Sequence, residues 1–367
     1  VQSKQLNTNT RYLHNSVLNY AQNLSQTLPD ELEICYFTNS GSESNDLALR
    51  IARLYSNSNE SIVLSGAYHG HTSSLIDISP YKFDGPGGSG KQDFVHVIPV
   101  PDVFRGEHTL KGVKPEQYYA DLIKKTITQI RQKGKRLSFF IVEPIMGCGG
   151  QIILPASFMT EAFKSVKEAG GLCIVDEVQI GFGRVGSHFW GFEMSGVIPD
   201  IITIGKPIGN GHPLSVVITK KNIAEVFNNG MEYFNSFGGN PVSSEIGQAV
   251  LDIIKEEDLQ KNAYETGTYL LTGLEDLKDK YHIIGDIRGC GLFIGIELIK
   301  NYENMLPAAH EAELVVNQMK QKGVLISLDG PDYNVLKIKP PLVFNKNNAD
   351  YLLESLEAVM VDNNFRV

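Results

Sequence analysis

The 367 residues carry 42% hydrophobic and 20% charged side chains, enough to bury a large core and to divide into two domains. A formal net charge of -9, with both signs interspersed, leaves no electrostatic footprint for nucleic acid. No apolar run reaches the ~18 residues that a membrane span needs. The widely spaced Cys35, Cys148, Cys173 and Cys290 suggest neither a zinc knuckle nor a disulfide framework, so reduced thiols and a cytoplasmic home are expected.

Strand-like apolar runs alternate with amphipathic helical stretches through about the first 250 residues, which predicts an α/β layer with a largely parallel sheet. Ile34-Cys35-Tyr36-Phe37 leads into the turn Thr38-Asn39-Ser40-Gly41-Ser42-Glu43-Ser44-Asn45, followed by a helix with apolar residues at Leu47, Ile51 and Leu54. Free amides and the helix dipole make such a turn a good phosphate cradle. Ser and Asn are equally at home at an ordinary N-cap, so both readings stand. Next comes Tyr68-His69-Gly70-His71-Thr72. Its H-x-H pair lacks further ligands at metal-site spacing, so no metal is expected, and Tyr68 is better suited to stack on a planar ring. Gly85-Pro86-Gly87-Gly88-Ser89-Gly90 reads as a mobile loop.

Three later runs end in polar residues: Phe139-Phe140-Ile141-Val142 in Glu143-Pro144, Leu172-Cys173-Ile174-Val175 in Asp176-Glu177, and Ile201-Ile202-Thr203-Ile204 in Gly205-Lys206. Short apolar runs of this kind suit strands buried on both faces. Ligands of open α/β sheets sit beyond the carboxyl ends of the strands, so these three ends should converge on one crevice. There a partly desolvated Lys206 amine could have its pKa lowered enough to condense with an aldehyde. Asp176, on the far side of a pyridine ring, would keep the ring nitrogen protonated and the ring an electron sink. A salt bridge, or two unrelated surface ends, fits the spacing as well.

Gln179-Ile180-Gly181-Phe182-Gly183-Arg184 is too glycine-dense for a helix interior and reads as a functional loop. Ser236-Phe237-Gly238-Gly239-Asn240-Pro241 is either a plain turn or another phosphate contact. From about Ile254 the texture changes to a long helical pattern through Leu259, Leu270, Leu271, Leu274 and Leu277. Strand-like runs at 292–297 and 335–338 and helices at 308–322 and 347–361 follow. The sequence thus predicts a large domain over 1–253 and a smaller α+β domain over 254–367.

Eight strings, SGSESNDLALRIAR, AYHGHTSSL, EPIMGCGGQIILP, VDEVQIGFGRVG, PDIITIGKPIGNGHPL, SFGGNP, IRGCGLFIGIEL and LKIKPPL, run in order over nearly the whole chain. Together they resemble the class III aminotransferase family of fold-type I pyridoxal-phosphate enzymes. The resemblance implies a fold-type I PLP-dependent transferase, with an α/β large domain whose mostly parallel sheet is flanked by helices and a smaller C-terminal α+β domain. It implies pyridoxal 5'-phosphate as cofactor, bonded through its aldehyde to Lys206, with Asp176 on the pyridine nitrogen and Val178 packed on the ring. Gln179 would reach the phenolic oxygen and Tyr68 would stack on the other ring face. Gly41 and Ser42 would cradle the phosphate beside Ser40, and His69 and Glu143 complete the expected cofactor-binding set. Ser236, where the family usually has threonine, would contact the phosphate in the neighbouring subunit, which implies a homodimer with shared active sites.

Two departures bear on the reaction. Family aminotransferases with two carboxylate substrates often place a glutamate after the glycine of the E-P-x-x-G segment, partnered with an arginine before the Pro-Pro pair. This chain has Cys148 and Lys337 there, which weakens ordinary 4-aminobutyrate or ornithine transamination. CGGQI, DIRGCGLFIG, SLDGPDYNVLKIKPPL and GMEYFNSFGGNPVS are most similar to the ethanolamine-phosphate and phosphohydroxylysine phospho-lyase branch. The expected reaction is β-elimination of phosphate from an O-phospho-amine, with Lys206 as base and Lys337, Lys339, Lys82 and Arg184 as candidate cations for the substrate phosphate. Transamination of an ω-amine or amino acid, as by a 4-aminobutyrate transaminase, would use the same Lys206. A non-catalytic cofactor-binding module of a larger fusion is the third reading. The chain starts at Val1 with no visible signal peptide, and family members carry further sequence before this point, so the N-terminal part of the large domain is expected to be missing.

Overall fold

The computed structural model describes residues 8–106, 115–155 and 157–365. The apolar runs of the first two thirds become β1 (Ile34–Thr38), β2 (Glu60–Leu64), β3 (Val95–Ile98), β4 (Leu137–Val142), the small ribbon β5 (Ile145–Met146) and β6 (Ile152–Ile153), then β7 (Leu172–Asp176), β8 (Ile201–Ile204) and β9 (Ser215–Thr219). Seven of them form one sheet in the order β1-β9-β8-β7-β4-β2-β3. Its pairings are parallel except where β9 runs against β1 and β8.

Side chains alternate between the two faces of this sheet, and both faces are apolar. Phe139, Ile141, Ile174 and Val217 point into one layer, and Phe140, Val142, Cys173, Val175, Ile202 and Ile218 into the other. Each fully buried side chain of this size contributes roughly 1.5–3 kcal/mol, so the sheet needs helices on both sides. The helix Gly41–Ser56 covers the first layer with Ala48, Ile51 and Ala52. Asn15–Ser25, Pro115–Gln132 and Phe158–Glu168 cover the second with Tyr20, Ile123 and Phe163. Leu54, expected on the buried side of its helix, is 38% exposed, because the buried stripe through Ser44, Ala48, Ile51 and Ala52 leaves it on the flank.

The C-terminal third builds a second sheet, antiparallel throughout, from β10 (Ile284–Cys290), β11 (Phe293–Leu298), β12 (Ser327–Asp329) and β13 (Val335–Ile338) in the order β10-β11-β13-β12. One face packs Ile294, Ile296, Leu298, Leu336 and Ile338 against the helices Leu259–Lys280, Ala309–Gln321 and Lys346–Asp362. The opposite face meets the turn that follows β5. A Cβ on Gly295 would lie 2.9 Å from Gln151 Cβ, so glycine at that strand position is what lets the turn dock. Among the described residues no helix is long and apolar enough to cross a membrane.

Candidate active site

The polar ends of β4, β7 and β8 open on one cleft of about 550 Å³, lined by Glu143, Asp176 and Lys206. Ser40, Gly41, Ser42, Asn45, Tyr68, His69, Val178 and Gln179 complete most of its wall. Parallel strands bring their carboxyl ends to the same edge, which is how residues far apart in the chain come to share a cavity.

Gly41 opens the helix Gly41–Ser56, and Ser40 caps it by accepting from the Glu43 amide at 3.2 Å. The amides of Gly41 and Ser42 belong to the first turn and have no intrahelical acceptor. A Cβ on Gly41 would come 2.7 Å from Val178 Cγ1, and one on Gly205 would come 3.2 Å from Gly41 Cα. The backbone of the helix start and the loop after β8 therefore close on Val178 only because neither position has a side chain. Lys206 follows at once with φ 37, a left-handed conformation that costs a residue with a Cβ on the order of 1–3 kcal/mol. Its side chain is exposed to the cleft rather than desolvated as the sequence suggested, and no hydrogen bond or ion pair among the described residues takes its Nζ.

Asp176 is 4% exposed and sits at the centre of a hydrogen-bond network. Its Oδ2 accepts from Asn45 Nδ2 at 2.8 Å and pairs with His69 Nδ1 at 2.9 Å, and its Oδ1 accepts from the Val178 amide at 3.1 Å. A carboxylate only accepts, so His69 carries its proton on Nδ1, and its buried Nε2 is left without a partner. Asn45 is oriented in turn by Thr203 Oγ1, which donates to its Oδ1 at 2.6 Å, and by the His69 carbonyl, which accepts from its Nδ2 at 2.7 Å. His69 is thus committed to Asp176, while His71, which lines the same cleft, is exposed.

Both oxygens of Glu143 accept from backbone amides, those of Tyr68 at 3.3 Å and Gly147 at 3.0 Å. Burial pushes its carboxyl up to about 7, with nearby His69 opposing the shift and Asp176 adding to it. Glu143 therefore ties the Tyr68 segment to the turn after β5. The Tyr68 ring stands edge-on to Tyr81 at 5.9 Å, with Lys82 Nζ 5.6 Å from its centroid. Cys148 lies in the same turn, and burial beside Glu143 and Asp329 pushes its thiol up to about 12, which keeps it neutral.

Ser236 does not line this cleft: it is exposed, beside Asn235, which accepts from Asn39 Nδ2 at 2.9 Å and donates to Glu43 Oε2 at 2.9 Å. The four candidate phosphate cations separate as well. Lys337 Nζ lies 2.6 Å from Asp329 Oδ2, Arg184 Nη1 donates to the carbonyls of Leu292 and Pro340, and Lys82 rests over tyrosine rings. Lys339 Nζ donates to Gln179 Oε1 at 3.3 Å.

Asn45, Thr203 and Asp329 join the site without a signal of their own in the motifs. Asn45 was the most accessible of them to sequence reasoning, since it lies one helical turn beyond Gly41 on the same face. Asp329 is the diagonal neighbour of Lys337 across the β12–β13 pair, visible only once the register of that hairpin is known.

The cleft fits pyridoxal phosphate. It offers an open amine at Lys206, first-turn amides at Gly41 and Ser42, an aromatic face at Tyr68 and a buried carboxylate at Asp176 whose Oδ1 keeps acceptor capacity.

A family model described as Aminotransferase class-III matches residues 2–360. A Drosophila melanogaster protein named alanine–glyoxylate aminotransferase 2-like is 48% identical over 370 residues, covering 98% of this chain and 75% of its own. A Caenorhabditis elegans protein named ethanolamine-phosphate phospho-lyase homolog 1 is 40% identical, with 98% and 80% covered. Among solved structures, an Arthrobacter phospholyase in complex with phosphoethanolamine superimposes with a TM-score of 0.93 at 38% identity, over 98% of this chain and 84% of that one. The chain belongs to the class III aminotransferases, a family of pyridoxal-phosphate-dependent enzymes acting on small amines.

Proposed function

We propose that this enzyme removes phosphate from an O-phospho-amine by β-elimination, with Lys206 as the residue that bonds the cofactor aldehyde and then serves as base. The observation that carries the reading is the state of Lys337. It is paired with Asp329 at 2.6 Å, and Cys148 stands where a gating glutamate would be, so the chain offers neither the glutamate nor a free cation for a carboxylate switch. The kinship with a phospho-lyase homolog and with a phospholyase structure supports the same reading.

In this scheme Asp176, steered by His69 and Asn45, would hold the ring nitrogen, Val178 and Tyr68 would take the two ring faces, and Gln179 would serve the phenolic oxygen. Ser40, Gly41 and Ser42 take the phosphate, and Glu143 supports Tyr68 from behind. Bound pyridoxal phosphate supplies an electron sink for the substrate carbon that carries nitrogen. Lys206 Nζ removes the proton from that carbon, the adjacent C–O bond breaks, and phosphate leaves with the bonding pair. One water is consumed overall, and the products are an aldehyde, ammonia and inorganic phosphate, with no external oxidant.

A second reading, amine or amino-acid transamination, is favoured by the name of the 48% identical relative. Products separate the two. Holoenzyme given phosphoethanolamine without any keto acid is expected to release phosphate and aldehyde in equal amounts. Turnover that appears only with a keto acid refutes the elimination, and no turnover of any amine supports a non-catalytic module.

We further propose a homodimer in which Ser236 reaches the partner's cofactor phosphate. Ser236 lies in a segment whose Met231, Phe234 and Phe237 are exposed, and Arg11, next in sequence to the exposed Tyr12 and Leu13, lies over the Phe234 ring, so several large apolar side chains in this region are left for a partner to cover. We place the domain division at 253/254, in the last turn of the helix Pro241–Glu256, just before the left-handed Asp258. The four unpaired cysteines suit the cytoplasm or another reducing compartment.

A further inference from the structure

The geometry points to Lys339 as the residue that receives the substrate's dianionic group, an assignment that rests on the phospho-lyase reading above. Along β13 side chains alternate, so Leu336 and Ile338 enter the C-terminal core while Lys337 takes the opposite side, and Lys339 follows directly after the strand, within electrostatic reach of Lys337. Lys337 is already neutralised there. Its side chain is 14% exposed, and Asp329 Oδ2, which it meets at 2.6 Å, also accepts from Gln151 Nε2 at 2.7 Å. Opening such a nearly buried pair strands a charge on each side and is costly.

Arg184 is committed too. Its Nη1 holds the carbonyls of Leu292 at 3.1 Å and Pro340 at 2.7 Å, which fixes the chain just after Lys339. Lys82 is exposed and lies over the rings of Tyr68 and Tyr81, 5.6 and 5.4 Å from their centroids. Lys339 alone of the four is part-buried without a carboxylate or backbone-carbonyl partner among the described residues, and it reaches the cleft through Gln179. Its acceptor is the amide oxygen of Gln179, which itself lines the cleft beside Lys206.

The surroundings of Lys339 are short of negative charge. Burial, with Arg184, Lys337 and Lys206 all nearby and only Asp329 opposing, brings its ammonium down to about 7. A phosphate dianion supplies the missing charge and restores the ammonium, forming a charge-assisted hydrogen bond. Because an ammonium only donates, Lys339 also sets the Gln179 amide with its oxygen toward Lys339, leaving its NH2 for an acceptor elsewhere in the cleft.

The test uses holoenzyme, so that the cofactor fills its own phosphate site, with inorganic phosphate as the calorimetric probe. Lys339→Met is expected to weaken phosphate binding at least about tenfold at pH 7, while Lys82→Gln changes it less than about twofold. Unchanged binding in Lys339→Met, with the cofactor absorbance intact, overturns the assignment. Lys339→Arg supplies the deciding measurement if the methionine variant loses its cofactor. At pH 8.5 an amine held near 7 is mostly neutral and a guanidinium is not, so the arginine variant should bind phosphate at least about fivefold tighter than wild type. Equal affinities at that pH also overturn the assignment. Should phosphate affinity fall in Lys339→Met while the wild type releases no phosphate from any phospho-amine, Lys339 stands as an anion site and the lyase reading fails. If instead Lys339→Met releases phosphate from phosphoethanolamine at the wild-type KM, the lyase reading stands and the assignment of Lys339 fails.

Discussion

Lys206→Ala is expected to leave a folded protein that still takes up pyridoxal phosphate but turns over phospho-amine at least about 10³-fold more slowly. The stability of the fold should hardly change. The side chain is exposed and no hydrogen bond or ion pair to it is formed among the described residues, so its removal resembles a surface substitution, within about 0.5 kcal/mol. The left-handed backbone at φ 37 is no easier or harder for alanine, since both residues carry a Cβ. Activity and stability thus separate cleanly. Thermal melts and phosphate release on the same preparation check this, and a variant that keeps more than about a tenth of wild-type turnover would show that another base does the work.

Asp176→Asn should be nearly as severe in rate and worse in stability, for a reason visible in the network. Two donors, Asn45 Nδ2 and His69 Nδ1, converge on Oδ2, so the new amide must turn its oxygen to that side. Its NH2 then occupies the Oδ1 position, facing the Val178 amide that formerly donated there at 3.1 Å. A buried donor is left unsatisfied at about 1–3 kcal/mol, and the group presented to a ring nitrogen becomes a donor instead of an acceptor. The expected result is a fall in kcat of about 10²–10³-fold at saturating cofactor together with a lowered Tm. Full kcat in this variant would mean that Asp176 is a structural residue only.

The strands that position the site were legible because they are buried on both faces. Leu172-Cys173-Ile174-Val175 and Ile201-Ile202-Thr203-Ile204 read as uninterrupted apolar runs, and polar residues directly after them mark the carboxyl edge. The C-terminal sheet was harder. β10 includes Gly285, Asp286, Arg288 and Gly289, residues of poor strand propensity that pairing with β11 carries into the sheet, and β12 is three residues long. Residue identities at the site were readable from motif and resemblance, whereas the commitments of those residues were not. That His69 serves Asp176, that Glu143 spends both oxygens on amides and that Lys337 is taken by Asp329 all depend on contacts that only the folded chain makes, the first of them across 107 positions. Backbone strain at Lys206 has no signature in residue type at all.

Reductive trapping tests the central claim most directly. Holoenzyme treated with borohydride fixes the C–N bond between the cofactor aldehyde and whichever amine holds it, and peptide mapping by mass reads out the position. The label is expected on Lys206, in a single stoichiometric peptide. Label on another lysine, Lys339 included, or uptake of cofactor with no covalent mark, would contradict the account.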